Sequence, residues 1–475
     1  LIIERKFKNM KGVDTIKLLK IISVLVSEYD CSWETIEPLY KNLSSLFVVF
    51  QERDLRLQLS DIFVKLGERF SNIQTASLLV SDFNSYSQRR MHEYDFPRIL
   101  SAFKRFTETE YTEFSTIQWL PVIYNCLFLI NDKEELALRT NASHCLKMFV
   151  DYINKDKESG DRTIAITTFK NIVLPAICSG LRKYTEDIQG EYISIVSYYV
   201  ENVDFYPALD DMKVLLFKGD EEANFFTNIT HVQVHRRQRA VKRLREYVNQ
   251  LTDDSVAHYL IPIIEHYVFT EEDKYRNIGN EALLTIGALS AKMSWKQYRA
   301  LLRRYIGFVK SNSDKLKPCV LLINEISHSL KNTLLSSRDD SMEDTTCLSK
   351  LPKNKSELES FIKDDLYPTL TKILGIRDEE TVIARIPLSE ALVNFILGLD
   401  HDDIVNLLPG ILTKICQILR SKASELRDAV RATLAKITRN VGPRYLFFIV
   451  KELKSALQRG SQVHVLGFTV HHIVR

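Results

Sequence analysis

Residues 236–245 contain six basic side chains and no acidic one. Apolar residues recur around this run with helical spacing. The predicted helix therefore carries Arg236, Arg239, Lys242 and Arg243 on its outer face, with Arg245 at the flank. Such a face could bind the phosphates of RNA or the carboxylates of an acidic protein. These residues are candidate contacts to RNA or to a partner, and a solvated face without a ligand is the alternative.

The same periodicity predicts the buried side of this segment. Three acids at residues 220–222 stand where negative charge favours a helix start, and the apolar residues between 225 and 251 keep one stripe. We therefore expect continuous helix from the acids to residue 251. Leu244 lies in the middle of the stripe and is expected to be buried. Arg237 projects towards the apolar side, which predicts a buried or bracing role.

Two further basic stretches add candidate contacts. Residues 299–317 carry six basic side chains against the single acid Asp314, and from them we select Arg303 and Arg304. Residues 414–459 carry eleven basic side chains against three acids, and from them we select Lys422 and Arg431. Clustered positive charge is the electrostatic signature of nucleic-acid binding, although helical scaffolds also carry basic faces. The stacking aromatic residues of a single-strand reader are not evident beside these clusters.

Catalytic signatures are missing from the sequence. It contains no P-loop, GxGxxG, GxSxG or HExxH motif. The run Asp400-His401-Asp402-Asp403 could suggest a metal site, but acids before a helix more simply stabilise its first turn. We therefore expect no enzyme activity, no catalytic, cofactor or metal residues, and no small-molecule substrate.

Composition narrows the cellular setting. The seven cysteines are widely spaced without a CxxC pair, which is typical of reduced thiols inside the cell. The net charge of +3 is small, and the apolar runs are too short for a membrane span. The chain begins with leucine rather than methionine, so we expect a fragment of a longer protein.

A repeated spacing indicates the architecture that positions these residues. Pro38, Pro121 and Pro409 are each followed, eighteen residues later, by an arginine that has a leucine before it. Pro368 with Arg385 is a weaker copy of this spacing. Reuse at this scale predicts antiparallel helix pairs of about 40 residues, the period of HEAT and armadillo arrays. The predicted fold is all-α, an α-solenoid of irregular HEAT/armadillo-like pairs, and such arrays usually serve as scaffolds.

The repeated residues have expected structural roles. We expect the prolines to open the first helix of each pair, because the first turn needs no N–H from them. The same role is expected for Pro175, Pro262 and Pro368. The repeated arginines Arg56, Arg139 and Arg427 should brace a turn or a neighbouring repeat through an acid or a carbonyl.

Composition also predicts the domain organisation. Residues 336–356 are polar, acidic in their first half and without periodicity, which predicts a disordered insert. The expected organisation is a helical array over 1–335, this insert, and a basic helical array over 357–475. Whether the insert becomes ordered on binding is open.

Two stretches resemble one protein family. They are DEEANFFTNITHVQVHRRQRAVKRL at residues 220–244 and ILRSKASELRDAVRATLAKITRNVGPRYLFFIVKELKSALQRGSQVHVLGFTVHHIV at residues 418–474. Both are similar to the down-regulated-in-metastasis family, the very large HEAT-repeat component 20 of the U3 small nucleolar ribonucleoprotein. The two stretches cover about 80 residues, and the remainder resembles the family only as degenerate helical repeat.

The resemblance implies a function that composition alone does not give. It implies a non-enzymatic nucleolar scaffold of the small-subunit processome, the 90S pre-ribosome, acting in 18S rRNA maturation. Its expected partners are pre-rRNA or snoRNA and several pre-ribosomal assembly proteins, without a cofactor or a membrane. Two other HEAT-type classes remain open: a karyopherin-type transport receptor, which would usually have an acidic inner surface, and the helical region of a giant kinase.

Overall fold

The computed structural model describes residues 12–90, 93–155, 160–183, 185–270, 272–311, 314–336, 355–376, 378, 380–460 and 462–474. It divides into two compact units, Leu1–Leu216 and Phe217–Arg475. In the described residues of both units the chain is helical and forms no strand, apart from the isolated antiparallel bridge between Tyr86 and Tyr94. The fold is therefore all-α, as predicted.

Unit 1 is a stack of paired helices. Its α-helices are α1 (Gly12–Glu28), α2 (Trp33–Val49), α3 (Arg53–Arg69), α4 (Gln74–Phe83), α5 (Phe96–Glu108), α6 (Thr116–Leu129), α7 (Leu136–Lys155), α8 (Gly160–Thr168), α9 (Leu174–Gly180) and α10 (Glu186–Asn202). Helix α1 packs on α3, α2 on α6, α6 on α7, and α7 on α10. Aromatic residues fill the spaces between them, and Tyr40, Phe47, Phe63 and Trp119 are almost fully buried.

Unit 2 continues the same construction in two layers. Its α-helices are α11 (Phe225–Ile229), α12 (Val234–Glu246), α13 (Asp253–Ser255), α14 (Ile261–Phe269), α15 (Arg276–Ser290), α16 (Trp295–Lys310), α17 (Leu316–Ser336), α18 (Lys355–Ser360), α19 (Tyr367–Leu374), α20 (Val382–Arg385), α21 (Leu388–Ile396), α22 (His401–Ile418), α23 (Ser424–Val441), α24 (Leu446–Ala456) and α25 (Gln462–Val474). One layer is the succession α12, α15, α17, α21, α23 and α25, in which each helix packs on the next. The opposite layer contains the partners α14, α16, α19, α22 and α24. This succession is the solenoid arrangement expected from the repeat.

Local sequence explains several helix ends. The side-chain carbonyl of Gln118 accepts a hydrogen bond from the N–H of Ser115 at 2.8 Å, and Gln297 does the same for Ser294 at 3.0 Å. These bonds satisfy N–H groups that an open helix start leaves without partners. Helix α23 stops at Gly442, whose φ of +68° is in the region that glycine adopts most easily.

The repeated prolines do not open their helices, and that expectation was wrong. Pro38, Pro121 and Pro409 lie inside α2, α6 and α22. The backbone carbonyl of each proline accepts a side-chain hydrogen bond at 2.8 Å from the residue four positions later, namely Asn42, Asn125 and Thr413. Each helix begins before its proline, and buried residues such as Ile36, Trp119 and Ile404 already pack in the turns that precede it.

Three other prolines follow a widened turn. The segments Phe169–Val173, Val256–Leu260 and Phe361–Leu366 are π-helical, and each lies immediately before the Leu-Pro, Ile-Pro or Tyr-Pro pair. A proline in a helix removes an N–H and crowds the carbonyl four residues earlier. The π turn relaxes that crowding without ending the helix. The sequence could not show this, because a proline looks the same in a regular helix and in a helix that contains a π turn.

The repeated arginines brace the ends of the preceding helices, as predicted. Arg56 donates to the carbonyls of Phe47 and Phe50, at 2.5 and 3.1 Å. Arg139 donates to the carbonyl of Asp132 at 3.0 Å. Arg427 donates to those of Ser421 and Lys422, at 2.8 and 2.7 Å, and Arg385 to that of Ile376 at 2.9 Å. These carbonyls lie at or just beyond a helix end, where backbone acceptors otherwise lack a partner.

Two further sequence expectations concern the predicted insert and the membrane-spanning potential of the helices. Residues 337–354, most of the predicted insert, lie outside the described residues, so its disorder stays a prediction. The helices on either side of this segment belong to unit 2, where α17 packs on α21.

The continuous helix Gly160–Gly180 is long and apolar enough to span a membrane by length and composition. Core helices pass the same test, and Phe169, Val173 and Ile177 of this helix are buried within unit 1.

Candidate nucleic-acid interface

The basic run lies on α12, but the helix is shorter than predicted. A short α11 is followed by a turn at residues 230–233, and α12 begins only at Val234. The side chain of Thr230 bonds back to the carbonyl of Phe226, and the imidazole of His231 accepts from the N–H of Gln233 at 3.0 Å. These local bonds compete with helix continuation. The expectation of one continuous helix to residue 251 was therefore wrong, although the apolar stripe is preserved on both sides of the turn.

The inner face of α12 is as predicted. Ala240, Val241 and Leu244 are buried, with Leu244 only 1% exposed. Helix α12 packs against α11 and α15 through this face. Arg237 is also buried, and its Nε donates to the carbonyl of His231. It also stacks over the ring of Tyr275, 5.6 Å from the centroid. This arginine braces the turn, and the prediction of a buried role is confirmed.

The outer face presents charge to solvent. Arg239 and Lys242 are exposed, and no ion pair or hydrogen bond of their side chains occurs among the described residues. Arg236 is half-buried, with its guanidinium 3.9 Å from the exposed carboxylate of Glu222. Arg243 is half-buried and lies over the ring of Phe217, 5.9 Å from its centroid. Two exposed cations are thus flanked by two arginines that neighbouring groups hold in place.

The remaining residues of the basic run have structural partners. Arg245 bonds to the carboxylate of Glu281 on α15 at 3.3 Å, so it links neighbouring helices. Phe217, which supports Arg243, was not singled out from the sequence. It precedes α12 by many residues and belongs to no periodic pattern, so no sequence signal could have identified it.

The two arginines selected on α16 are engaged in ion pairs. Arg303 contacts the carboxylate of Asp365 at 2.9 Å, although its side chain is half exposed. Arg304 pairs with Glu265 of α14, a carboxylate that is fully buried. Both pairs join helices of neighbouring repeats. Their charges are therefore largely compensated within the protein, which makes them weaker candidates for a phosphate contact than Arg239 and Lys242.

The two residues selected near α23 differ from each other. Lys422 is exposed, and its backbone carbonyl is held by Arg427. Arg431 is only 8% exposed, contacts Asp428 at 2.6 Å, and lies over the ring of Phe468 at 4.6 Å. Burial and pairing argue against a phosphate contact by Arg431. The sequence placed it in a basic stretch, but helical phase turns it towards α25.

The described residues contain no group of three or more His, Cys, Asp and Glu side chains that could hold a metal ion. The run at residues 400–403 begins α22, with Asp402 and Asp403 in its first turn, as expected. His401 bonds to the hydroxyl of Tyr445 at 2.9 Å, and Asp403 pairs with Lys363 at 2.5 Å. These side chains connect neighbouring repeats rather than converging on one point.

Comparison with protein families gives two matches. Residues 1–185 match the N-terminal model of U3 small nucleolar RNA-associated protein 20. Residues 376–475 match a second domain model of the same protein. The two matches lie at opposite ends of the chain and together cover more than half of it. The second match includes all of residues 418–474, one of the two stretches that carry the resemblance.

Curated relatives match along nearly the whole chain. The protein named U3 small nucleolar RNA-associated protein 20 from Saccharomyces cerevisiae is 52% identical over 474 residues, 100% of this chain and 19% of the relative. The protein of the same name from Schizosaccharomyces pombe is 34% identical over 449 residues, 92% of this chain and 18% of the relative. The chain thus spans about a fifth of the length of these relatives.

Solved structures with some similarity include two complexes with Ran. A structure of Kap95p with RanGDP aligns over 98% of this chain and 66% of its own, with a TM-score of 0.29 and 10% identity. Kap121p bound to RanGTP aligns over 98% of this chain and 53% of its own, with a TM-score of 0.25 and 12% identity. These scores are too low to support any assignment.

Proposed function

The chain belongs to the family of U3 small nucleolar RNA-associated protein 20, and on that premise we propose that it is part of a non-enzymatic scaffold of the small-subunit processome. In this role it bridges pre-rRNA or snoRNA and assembly proteins in the nucleolus during 18S rRNA maturation. The relatives' name states an association with the U3 small nucleolar RNA. The two stacks of helix pairs suit such a role, because they offer long surfaces for many contacts.

The outer face of α12 is the observation that carries the RNA-binding part of the proposal. Arg239 and Lys242 are exposed cations, and Arg236 and Arg243 flank them. Unlike the arginines of α16, the two central residues have no acidic partner among the described residues. A cation that already has an internal carboxylate gains less from a phosphate than one exposed only to water. Contacts between these side chains and the phosphate backbone of the RNA would position it without reading its sequence.

The proposal can be tested by removing the two central charges. The double variant Arg239→Gln/Lys242→Gln keeps helix propensity and leaves the buried face of α12 unchanged. Its affinity for a single-stranded pre-rRNA fragment should fall. The slope of log affinity against log salt should flatten by about 0.7 for each phosphate that the variant no longer neutralises. Adding Arg236→Gln and Arg243→Gln should deepen both effects. Fluorescence anisotropy at several salt concentrations measures both quantities.

A matched control removes two exposed positive charges elsewhere. The double variant Lys20→Gln/Lys104→Gln changes net charge equally on unit 1, where both lysines are exposed. It should leave the affinity and the salt slope nearly unchanged. Equal losses of affinity in the two double variants would indicate diffuse attraction and refute a specific role for α12. Reduced incorporation into pre-ribosomal particles with an unchanged salt slope would indicate an acidic protein partner at this face.

A further inference from the structure

A cleft of about 350 Å³ opens across three consecutive helices of one layer of unit 2. Its floor is α15 and the residue that follows it. Leu284, Gly287, Ala288 and Ala291 lie at helical spacing and therefore share one face. Three of these four side chains are small, which leaves room above the helix. The cleft is distinct from the outer face of α12 described above.

The two walls of the cleft are polar. One wall comes from the C-terminal end of α12 and the residues after it, with Arg245 and Asn249. The opposite wall comes from α17, with Glu325, His328 and Asn332 on one face. Arg245 is already paired with Glu281, so its charge is compensated. An apolar floor between polar walls is the usual construction of a site for a side chain with an apolar stem and a polar end.

Glu325 is the carboxylate that this cleft offers to a ligand. It is half-buried, and no donor lies within hydrogen-bonding distance of its carboxylate among the described residues. The neighbouring carboxylate of Glu390 differs, because Asn324 donates to it at 3.0 Å and Lys436 lies at 3.7 Å. Burial and the charge of Glu390 raise the pKa of Glu325, and His328 and Lys436 oppose this shift only in part. The carboxylate of Glu325 is therefore available to a cation from outside the chain.

We propose that the cleft over α15 is a docking site for a partner protein that inserts an arginine or lysine side chain beside Glu325. The aliphatic stem of that side chain would pack on Leu284, Ala288 and Ala291, and its cationic end would reach the carboxylate. Asn249 and Asn332 stand on the two rims, where they can bond to the backbone of the inserted segment. A phosphate backbone is disfavoured here, because it would approach a carboxylate that makes no ion pair among the described residues.

The test selects peptides from a random display library on the 475-residue chain and on its Glu325→Gln variant. Peptides retained by the wild-type cleft should share an arginine or lysine. Their affinity, measured with synthetic peptides by fluorescence anisotropy, should fall roughly tenfold to a hundredfold on Glu325→Gln, as expected for a bond between charged groups. Replacing the peptide's arginine with citrulline should cost a similar factor. The two losses together should be no larger than either alone, because both remove one bond.

Two further variants keep the outcome unambiguous. Glu246→Gln removes an exposed carboxylate that lies on α12 but does not line the cleft, and it should leave peptide affinity unchanged. Leu284→Ala trims a floor residue that is 45% exposed, so the fold should persist while the same peptides bind more weakly. The proposal is overturned if no selected peptide depends on Glu325, or if citrulline peptides bind as well. It is also overturned if Glu325→Gln strengthens binding of a single-stranded RNA probe at the cleft.

Discussion

The guanidinium of Arg56 is completely enclosed in unit 1. Besides the carbonyls of Phe47 and Phe50, it bonds to the side chain of Asn125 at 2.8 Å, and it stacks on the ring of Phe128 at 3.6 Å. Burial lowers its pKa to about 10, so it stays charged at neutral pH. One cation therefore satisfies two backbone acceptors of α2 and one amide of α6, and it joins two successive repeats.

We expect Arg56→Ala to lower the free energy of unfolding of unit 1 by about 3 kcal/mol or more, because several buried acceptors lose their donor at once. Urea denaturation followed by circular dichroism measures the change. Arg89→Ala is the control, since that side chain is exposed and should cost less than about 0.5 kcal/mol. Similar effects of the two substitutions would mean that the enclosed arginine is not a brace.

Sequence reasoning succeeded for single residues where spacing carried the information. The proline-to-arginine interval predicted the bracing role of Arg56, because a repeated interval implies a repeated environment. It failed for Arg431, which was chosen by local charge density. The density of charged residues along the chain does not indicate which face of a helix a residue occupies. Pairing partners such as Asp365 for Arg303 come from another repeat, and a single sequence cannot reveal them.

At the scale of the element, α21 holds a buried polar network against its neighbours α17 and α23. Glu390 is 4% exposed, and its carboxylate lies 3.5 Å from His328 Nε2. Burial alone would raise the pKa of Glu390. The hydrogen bond with His328, the charge of Lys436 and the amide of Asn324 outweigh it, so the pKa is lowered. The network thus couples three consecutive helices of one layer.

We expect Glu390→Gln to destabilise unit 2 by about 1–3 kcal/mol at neutral pH, the usual range for bonds to a charged group. Because the folded-state pKa is below the ordinary value of 4.5, the unfolded chain binds more protons just below that pH. The stabilisation by Glu390 is therefore present above about pH 4.5 and is lost as pH falls through the folded-state pKa.

Urea unfolding of both proteins from pH 7 to pH 3 tests this dependence. The difference in unfolding free energy between wild type and Glu390→Gln should shrink towards the acidic end. Burial raises the pKa of Glu325, so its pH dependence is opposite: its protonated form favours folding at low pH, and that stability is lost as pH rises. Because the charge of Glu390 is one cause of that raised pKa, both proteins are compared in a Glu325→Gln background, where this contribution is absent. A difference that does not vary with pH would contradict the role given to Glu390.

Element boundaries were the weaker part of the sequence prediction. Apolar periodicity correctly placed the buried face of α12. It did not reveal the turn at residues 230–233, since the stripe continues in phase on both sides of the turn. The prolines misplaced helix starts for a different reason. A proline marks where an N–H is missing, but a helix continues past it where a π turn precedes the proline or where a later side chain donates to the proline's carbonyl.

At the scale of the molecule, both units are built from neighbour-to-neighbour contacts between helix pairs. In such arrays stability is roughly a sum of repeat terms and interface terms, so damage stays local. Leu244 is 1% exposed in the first repeat of unit 2. It is a suitable position from which to observe how far a local defect spreads.

We expect Leu244→Ala to destabilise its repeat by about 2–5 kcal/mol, the range for a fully buried leucine. Hydrogen exchange should show reduced protection in α11, α12 and α15, a smaller change in α17 and little change in α24. Unit 1 should keep its protection. The control Lys242→Ala changes an exposed residue of the same helix and should leave the exchange pattern intact. Equal loss of protection in every helix would show all-or-none unfolding instead.

Ion pairs between repeats give unit 2 a further mechanical property. Arg303 with Asp365 and Lys363 with Asp403 link successive helices of one layer, and parts of these pairs are exposed. Exposed pairs weaken as salt screens them. The elastic stiffness of this layer should therefore fall as ionic strength rises. If RNA binds the outer face of α12 as proposed, a salt wash that removes it would soften this layer of unit 2 at the same time.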